Sequence, residues 1–238
     1  MSRKNSSAGN HIESPRARLI AVDFGTGEGG QLLFSGFSFA IYPGEIVAVI
    51  GSRTQGNALV NLLAGLVDPS AGQVEIEGRD LADMSPQQRA WLRREKIGMV
   101  MPGENLMESL TVAENIALVY ELSGIRHQEA LLRTGVLLAN VRATEIADRY
   151  PYQLDQYQQQ KVALARAGMG GAKLVLADNL TCELEGEAEE EIFALLTMQV
   201  EKGSSCLFCT SDAALAKFAD RSLLLSPSPT AKQGRGND

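Results

Sequence analysis

The apolar run EIVAVI at residues 45–50 is followed by two glycines, Gly51 and Gly56, and then by an apolar-periodic segment over residues 57–66. This order predicts a buried strand, a tight turn and a helix. The glycines have the spacing of the loop G-x-x-x-x-G-K-[S/T], whose backbone cradles phosphates, whose lysine reaches them and whose hydroxyl binds Mg²⁺. Asn57 and Ala58 stand at those last two positions, so the pattern predicts the turn without its chemistry. An ordinary strand–turn–helix is the alternative.

The composition is that of one globular domain. The chain has 238 residues, of which 45% are apolar, and a net charge of −7; without a basic stripe, this argues against a nucleic acid partner. No run approaches the ~20 apolar residues that span a bilayer. We expect residues 1–16, which lack a signal-peptide core, and residues 228–238 to be disordered, which leaves one domain over residues 17–227. These features predict a cytoplasmic protein that inserts no segment into a membrane.

Strand and helix patterns alternate along the chain, which predicts an α/β fold with a mostly parallel sheet covered on both faces. Residues 17–43 read as an antiparallel portion, and residues 103–159 are helical by pattern. The core then resumes with a helix over residues 158–168 and with strands over residues 174–177, 205–209 and 221–225. Cys206 and Cys209 lie three apart in one of these strands, where they point to opposite faces, so we expect core packing and not a shared metal ion.

Five further segments carry a family pattern. They are LLAGLVDPSAGQVEIEGRDL (62–81), IGMVMPGENLMESLTVAENI (97–116), YPYQLDQYQQQKVALARA (150–167), KLVLADNLT (173–181) and CTSDAALAKFADRSLLL (209–225). With the glycine loop, and over roughly residues 17–226, they resemble the ATP-binding subunit of ABC transporters, closest to subunits that serve lipoprotein-releasing and macrolide-exporting permeases. The resemblance implies a P-loop NTPase (RecA-like) core with an N-terminal antiparallel β portion and an inserted helical subdomain at about residues 103–159.

The resemblance also assigns catalytic positions, and most of them hold the wrong residue. Phe24 stands where the adenine-stacking aromatic is expected, and Asp178 where the Mg²⁺-holding aspartate is expected. Asn179 replaces the glutamate that polarises the attacking water; an amide cannot accept a proton from it. Pro102 replaces the γ-phosphate-sensing glutamine, and Ser211 replaces the switch histidine.

The signature segment L-S-G-G-Q of the family reads Leu154-Asp155-Gln156-Tyr157-Gln158 here. Asp155 places an anion where an anion must bind at a helix N-terminus. We expect Tyr157 to fill the space that the phosphate needs.

The nucleotide site that the resemblance implies is weak or lost. It would consist of Phe24, Gly51, Arg53, Gly56 and Asn57, with Arg53 as a surrogate for the missing lysine or simply solvated. Accordingly we expect no cofactor, or ATP with Mg²⁺ bound weakly.

The resemblance implies a head-to-tail dimer in which each site joins one subunit's loop to the other's signature. This chain would spoil both halves, whether it forms a homodimer or a heterodimer. We therefore expect a catalytically inactive subunit that supports or regulates a transmembrane permease, peripheral on the inner face of a bacterial cell membrane. The permease's coupling helix would contact Leu106, Met107, Leu110 and Tyr120; the alternative is that these residues are subdomain core.

Two other functions remain open on these residues. One is a sensor that binds ATP without hydrolysing it, using Phe24, Gly51, Gly56 and Asp178. The other is a slow ATPase with unorthodox catalytic groups, which would power export itself. Nucleotide-dependent melting and phosphate release, respectively, distinguish them from the inactive subunit.

Overall fold

A computed structural model describes residues 14–25, 32–101, 106–168, 171–181 and 184–226. The strands are β1 Ala17–Gly25, β2 Leu32–Ile41, β3 Ile46–Ile50, β4 Ala71–Ile76, β5 Arg79–Asp80, β6 Ile97–Val100, β7 Leu174–Asp178, β8 Ser205–Thr210 and β9 Arg221–Leu224. The α-helices are α1 Arg53–Leu63, α2 Pro86–Lys96, α3 Val112–Leu122, α4 His127–Asn140, α5 Gln156–Ala167 and α6 Glu187–Glu201.

The strands form two sheets. The first is antiparallel, in the order β2-β1-β4-β5, and it confirms the predicted N-terminal antiparallel portion. Strands β4 and β5 join it from beyond residue 43, because Ala17 pairs with Ile76 and so brings the later hairpin back onto β1. The second sheet is parallel throughout, in the order β6-β7-β8-β3-β9, as the alternating pattern predicted.

The parallel sheet divides the apolar interior into two cores. One core lies between this sheet, α1 and the antiparallel sheet, and the other between this sheet, α5, α6 and the α3–α4 pair. Cys206 belongs to the second core and Cys209 to the first, so the two thiols point to opposite faces, as predicted. Burial raises the pKa of both thiols, which keeps them protonated.

Helices α3 and α4 pack side by side within the predicted helical region. Helix α3 begins after Thr111, whose hydroxyl accepts from the amide of Glu114 while the Glu114 carboxylate accepts from the Thr111 amide. This capping box stabilises the first turn. None of the helices within the described ranges is long and apolar enough to cross a membrane.

Two helices begin earlier than the apolar periodicity predicted. Helix α1 starts at Arg53 and not at Asn57, and it ends at Leu63 because Gly65 takes a left-handed conformation with φ of 62°. Helix α5 starts at Gln156 and not at Gln158. In both cases a polar capping residue ahead of the apolar stripe sets the start, which apolar periodicity does not report.

Candidate functional site

The carboxyl ends of β3, β7 and β8 meet at one edge of the parallel sheet, where Ile50 pairs with Thr210 and Asp178 pairs with Cys209. The chain leaves β3 through Gly51, whose amide donates to the Thr210 oxygen at 2.9 Å. This edge therefore brings together the segments that sequence reasoning singled out after each strand. Ligands bind at such an edge in open parallel sheets.

The expected loop between the two glycines is mostly the first turn of α1. Ser52 is the N-cap, with φ of −69° and ψ of 155°, and its hydroxyl accepts from the Gln55 amide at 3.3 Å. The Gln55 side-chain oxygen accepts from the Ser52 amide at 3.1 Å. The Gly56 amide donates to the Ser52 oxygen at 2.9 Å, which is the first helical hydrogen bond. Three backbone amides of the expected phosphate cradle are thus used within the chain.

Gly56 lets α1 approach the ends of β7 and β8 closely. A β-carbon added there would lie 2.8 Å from Cβ of Cys209 and 3.1 Å from Oδ1 of Asp178. Ala58, at the position expected to bind Mg²⁺, is buried in the core below. Between Gly51, Gly56 and Asp178 the structure leaves no room for a water molecule.

Asp178 is a fully buried carboxylate at the end of β7. Its Oδ1 accepts from the side-chain nitrogen of Asn179 at 3.0 Å, whereas Oδ2 has no hydrogen-bond partner within the described part of the chain. Burial raises the pKa of this carboxyl, and the Asn57 amide, the Arg53 charge and the Asn179 amide oppose that shift only partly. Burial dominates because charge is costly where water is excluded.

Asn179 has a left-handed backbone with φ of 48°, a conformation that asparagine tolerates better than most residues. Its amide donates to the Cys209 oxygen at 2.9 Å, and its side chain turns back onto Asp178. Ser211 is exposed just beyond β8, and Phe24 is partly buried against the core of the antiparallel sheet. Pro102 lies outside the described residues.

The N-terminus of α5 is closed by its own cap. Asp155 is the N-cap, and its Oδ1 accepts from the Gln158 amide at 2.8 Å while the Gln158 side chain accepts from the Asp155 amide at 3.2 Å. Gln156 lies half-buried in the first turn. The carboxylate of Asp155 therefore occupies the positive end of the helix dipole, where an external anion would otherwise be favoured.

The side chain of Tyr157 points toward α6. It was predicted to fill the space that a phosphate needs, and its contacts are instead with side chains of α5 and α6. Its hydroxyl accepts from the Lys161 ammonium at 3.1 Å, and that ammonium lies 3.4 Å from the Glu191 carboxylate. A hydrogen bond from Tyr157 is the main cause that lowers the pKa of Glu191, with the Lys161 charge also contributing. The buried lysine is thus held by a phenol and a carboxylate.

The four predicted partner residues differ in exposure. Leu106 is only 8% exposed and belongs to the core that includes α3, so it is unavailable to a partner without rearrangement. Met107 is 53% exposed. Leu110 and Tyr120 are half-buried. The alternative that such residues are subdomain core is thus the better description of Leu106.

Asn115 holds the loop that carries Met107, and sequence reasoning missed it. Its side-chain oxygen accepts from the Met107 amide at 2.7 Å, and its nitrogen donates to the oxygens of Met107, Leu110 and Thr111, each at 3.0 Å. The signal was a polar residue on the otherwise apolar face of α3. A buried amide with all its hydrogen bonds satisfied fixes local geometry strongly.

Two exposed aromatic residues follow Arg149, whose main-chain oxygen contacts the start of α3. The Tyr150 and Tyr152 rings stack at a centroid distance of 5.6 Å, and the Val112 amide donates to the Arg149 oxygen at 2.8 Å, which ties their segment to the start of α3. Exposed tyrosines are common in binding surfaces. In the described ranges, no group of three His, Cys, Asp or Glu residues could hold a metal ion.

Comparison with known proteins matches these features to one family. A family model described as ABC transporter matches residues 34–182. The macrolide export ATP-binding/permease protein MacB of Marinobacter nauticus is 34% identical over 218 residues, which are 90% of this chain and 34% of that protein. The pyoverdine export ATP-binding/permease protein PvdT of Pseudomonas aeruginosa is 35% identical over 79% of this chain and 29% of that protein. The chain thus spans about a third of the length of these relatives.

Solved structures have the same fold. The ATP-binding cassette MJ0796, a dimer in a post-hydrolysis state bound to ADP and Pi, superposes with a TM-score of 0.79 at 28% identity, covering 88% of this chain and 94% of that one. CbiO1 from Clostridium perfringens superposes with the same TM-score of 0.79 at 21% identity, covering 90% and 86% of the two chains. The predicted α/β architecture is that of an ABC cassette.

Proposed function

Because this chain belongs to the ABC transporter family, we propose that it is a cassette of an export complex that supports or regulates a permease without hydrolysing ATP. The observation that carries the proposal is the state of the glycine loop. Residues 53–55 form a helical turn capped by Ser52, where a nucleotide site needs an open loop with backbone amides directed at phosphate. The amides of Ser52, Gln55 and Gly56 already have acceptors within the chain.

The side chains around the loop support the same conclusion. No lysine or hydroxyl is supplied at Asn57 and Ala58, and Asn179 offers an amide in place of a general base. Removing one group that stabilises transition-state charge typically costs about 10²–10³ in rate, or ~3–4 kcal/mol. Such losses are not additive, yet two of them suffice to abolish useful turnover. These residues do not fit the phosphates of ATP.

The end of α5 extends the argument to a partner subunit. MJ0796 is a dimeric cassette, and we propose that this chain also pairs, with itself or with another cassette. The Asp155 carboxylate at the N-terminus of α5 would repel the phosphate that a partner's site presents there. A pair that contains this chain therefore has no complete hydrolytic site.

For the permease contact, we propose a surface made of Met107, Leu110, Tyr120 and Tyr152, with Leu106 in the core behind it. The exposure of Met107 and Tyr152 and the hydrogen bonds from Asn115 that hold the loop support this surface. It would place the protein at the inner face of the cell membrane. The contact needs no membrane-inserted segment of this chain.

Binding and hydrolysis of MgATP test the enzymatic half of the proposal. Calorimetry and phosphate release on the purified full chain are expected to detect neither. A dissociation constant tighter than about 100 μM, which corresponds to roughly 5.5 kcal/mol, would support the sensor alternative. Phosphate release that disappears in Asp178→Ala would support the slow ATPase. Either result contradicts the inactive cassette.

Co-purification with the permease tests the docking half. Met107→Asp is expected to reduce recovery of the permease, because a carboxylate would have to be desolvated in the contact. Leu66→Asp is the matched control, since Leu66 is 50% exposed and follows α1, which packs on the other face of the parallel sheet from α3. Leu106 is unsuitable because its burial would confound binding with folding. Equal recovery with the two variants would contradict the proposed surface.

A further inference from the structure

The side chain of Gln55 is buried beneath the glycine loop, with 3% of the residue exposed. Its oxygen accepts from both the amide and the hydroxyl of Ser52, each at 3.1 Å. Its nitrogen donates to the main-chain oxygen of Ser226 at 2.9 Å and, at the weaker distance of 3.5 Å, to that of Leu33. Both polar ends of this carboxamide are therefore satisfied inside the protein.

We propose that Gln55 is the residue that excludes phosphate from this loop, by holding residues 52–55 in a closed helical turn. The inference rests on the proposed function and names the cause of its inactivity. A phosphate oxygen in an open loop would accept hydrogen bonds from backbone amides. The Gln55 oxygen, a neutral acceptor, takes the Ser52 amide instead. It also lies 3.2 Å from the position of a β-carbon on Gly51, so it packs directly over that glycine.

The capping box on α2 shows that the cap alone does not supply such a tether. Gln88 on α2 and Gln158 on α5 make the same reciprocal bonds to Ser85 and Asp155. Gln88 is exposed, and no bond from its side-chain nitrogen is seen in the described part of the structure. An N-cap alone does not anchor a turn to a distant strand, whereas Gln55 links α1 to the chain that follows β9.

The effect of Gln55 on phosphate binding can be measured separately from the effect of the missing lysine and hydroxyl. Asn57→Lys with Ala58→Ser restores the missing cation and hydroxyl but leaves the turn closed. If the open loop is a minor state, apparent affinity falls in proportion to its population. The double variant is therefore expected to bind MgATP and inorganic pyrophosphate poorly. Adding Gln55→Ser is expected to tighten binding of both at least ~10-fold.

The experiment compares four full-length proteins by calorimetry with MgATP and with pyrophosphate. They are the wild type, N57K/A58S, Q55S/N57K/A58S and the control Q88S/N57K/A58S. The control removes the same capping chemistry from an exposed helix and is expected to bind no better than the double variant. Amide hydrogen exchange of residues 52–56 in Gln55→Ser, or in Gln55→Ala if the serine variant folds poorly, is expected to be faster than in the wild type.

The inference is overturned if Q55S/N57K/A58S binds no more tightly than N57K/A58S. It is also overturned if amide exchange of residues 52–56 in the Gln55 variant is the same as in the wild type. In those cases the wild type remains inert and the proposed function stands. MgATP binding by the wild type is the different result that defeats the proposed function. Binding by the wild type therefore tests the proposed function, and binding by the variants tests the inference, in the same set of measurements.

Discussion

The side-chain nitrogen of Gln55 donates to the main-chain oxygen of Ser226 at 2.9 Å and so joins the first turn of α1 to the chain that leaves β9. These residues are far apart in sequence, and both lie at the carboxyl ends of the parallel strands. The bond connects the glycine loop to the chain that follows β9, an outermost strand of the sheet. The bond therefore restrains the first turn of α1 and the segment after β9 relative to each other.

Stability should report this link. Gln55→Ala removes a buried hydrogen bond to Ser226 and the reciprocal cap with Ser52, so we expect the free energy of unfolding in urea to fall by about 2–3 kcal/mol. Gln88→Ala removes only an exposed cap and should cost about 0.5–1 kcal/mol. Equal losses for the two variants would mean that the Ser226 bond contributes nothing.

The helix start at Arg53 shows what apolar periodicity leaves out. The alternating strand and helix patterns predicted the parallel sheet and the antiparallel portion because burial on each face sets those patterns. The start of α1 was predicted four residues late, although the capping pair Ser52-x-x-Gln55 is visible in the sequence and has a known meaning. The sequence therefore contains a local signal for the helix start, and that signal lies within the expected loop.

The rest of the site depends on contacts that no local pattern contains. Leu106 is buried because it packs in the second core, against residues of α3 and of the elements beyond it. Tyr157 points toward α6 because it bonds to Lys161, which also contacts Glu191 on α6. The four hydrogen bonds of Asn115 likewise form only once the preceding loop has folded back. The burial and the contacts of these residues are set by tertiary packing, which a local sequence pattern does not contain.

The carboxyl of Asp178 should make stability depend on pH. Burial raises its pKa in the folded protein above the ordinary unfolded value of about 3.9. A group with a raised folded pKa contributes stability that is complete below the unfolded pKa and is lost as pH rises through the folded pKa. Through this group the wild type should therefore lose part of its stability as the pH rises above about 4.

Asp178→Asn removes the buried charge at nearly constant volume. We expect the variant to be more stable than the wild type at pH 7 and to show little difference near pH 4. Urea unfolding at several pH values measures both. If the variant is instead less stable at pH 7, the carboxylate is compensated in solution by its neighbours.

Two helical glycines offer a matched pair. Gly56→Ala would place a methyl 2.8 Å from Cβ of Cys209, so we expect it to lower the free energy of unfolding by about 1–3 kcal/mol. Gly135 lies inside α4 with nothing within 4 Å of an added β-carbon, so Gly135→Ala should raise it by about 0.5–1 kcal/mol. Thermal or urea unfolding of both variants checks the opposite signs. Effects of the same sign would show that the close approach of α1 to β8 is wrong.

Tyr157→Phe tests whether the phenol holds the buried lysine at the start of α5. The change keeps the ring that lies 5.0 Å from the Lys161 ammonium and removes only the hydroxyl that accepts its hydrogen bond. A buried ammonium that loses an acceptor costs about 1–3 kcal/mol, which urea unfolding resolves. Because the hydroxyl is also the main cause of the lowered pKa of Glu191, that pKa should rise, as carboxyl NMR titration can measure. Tyr152→Phe, at an exposed ring, should change neither quantity. If Tyr157→Phe is as stable as the wild type, the hydroxyl contact with Lys161 does not stabilise α5.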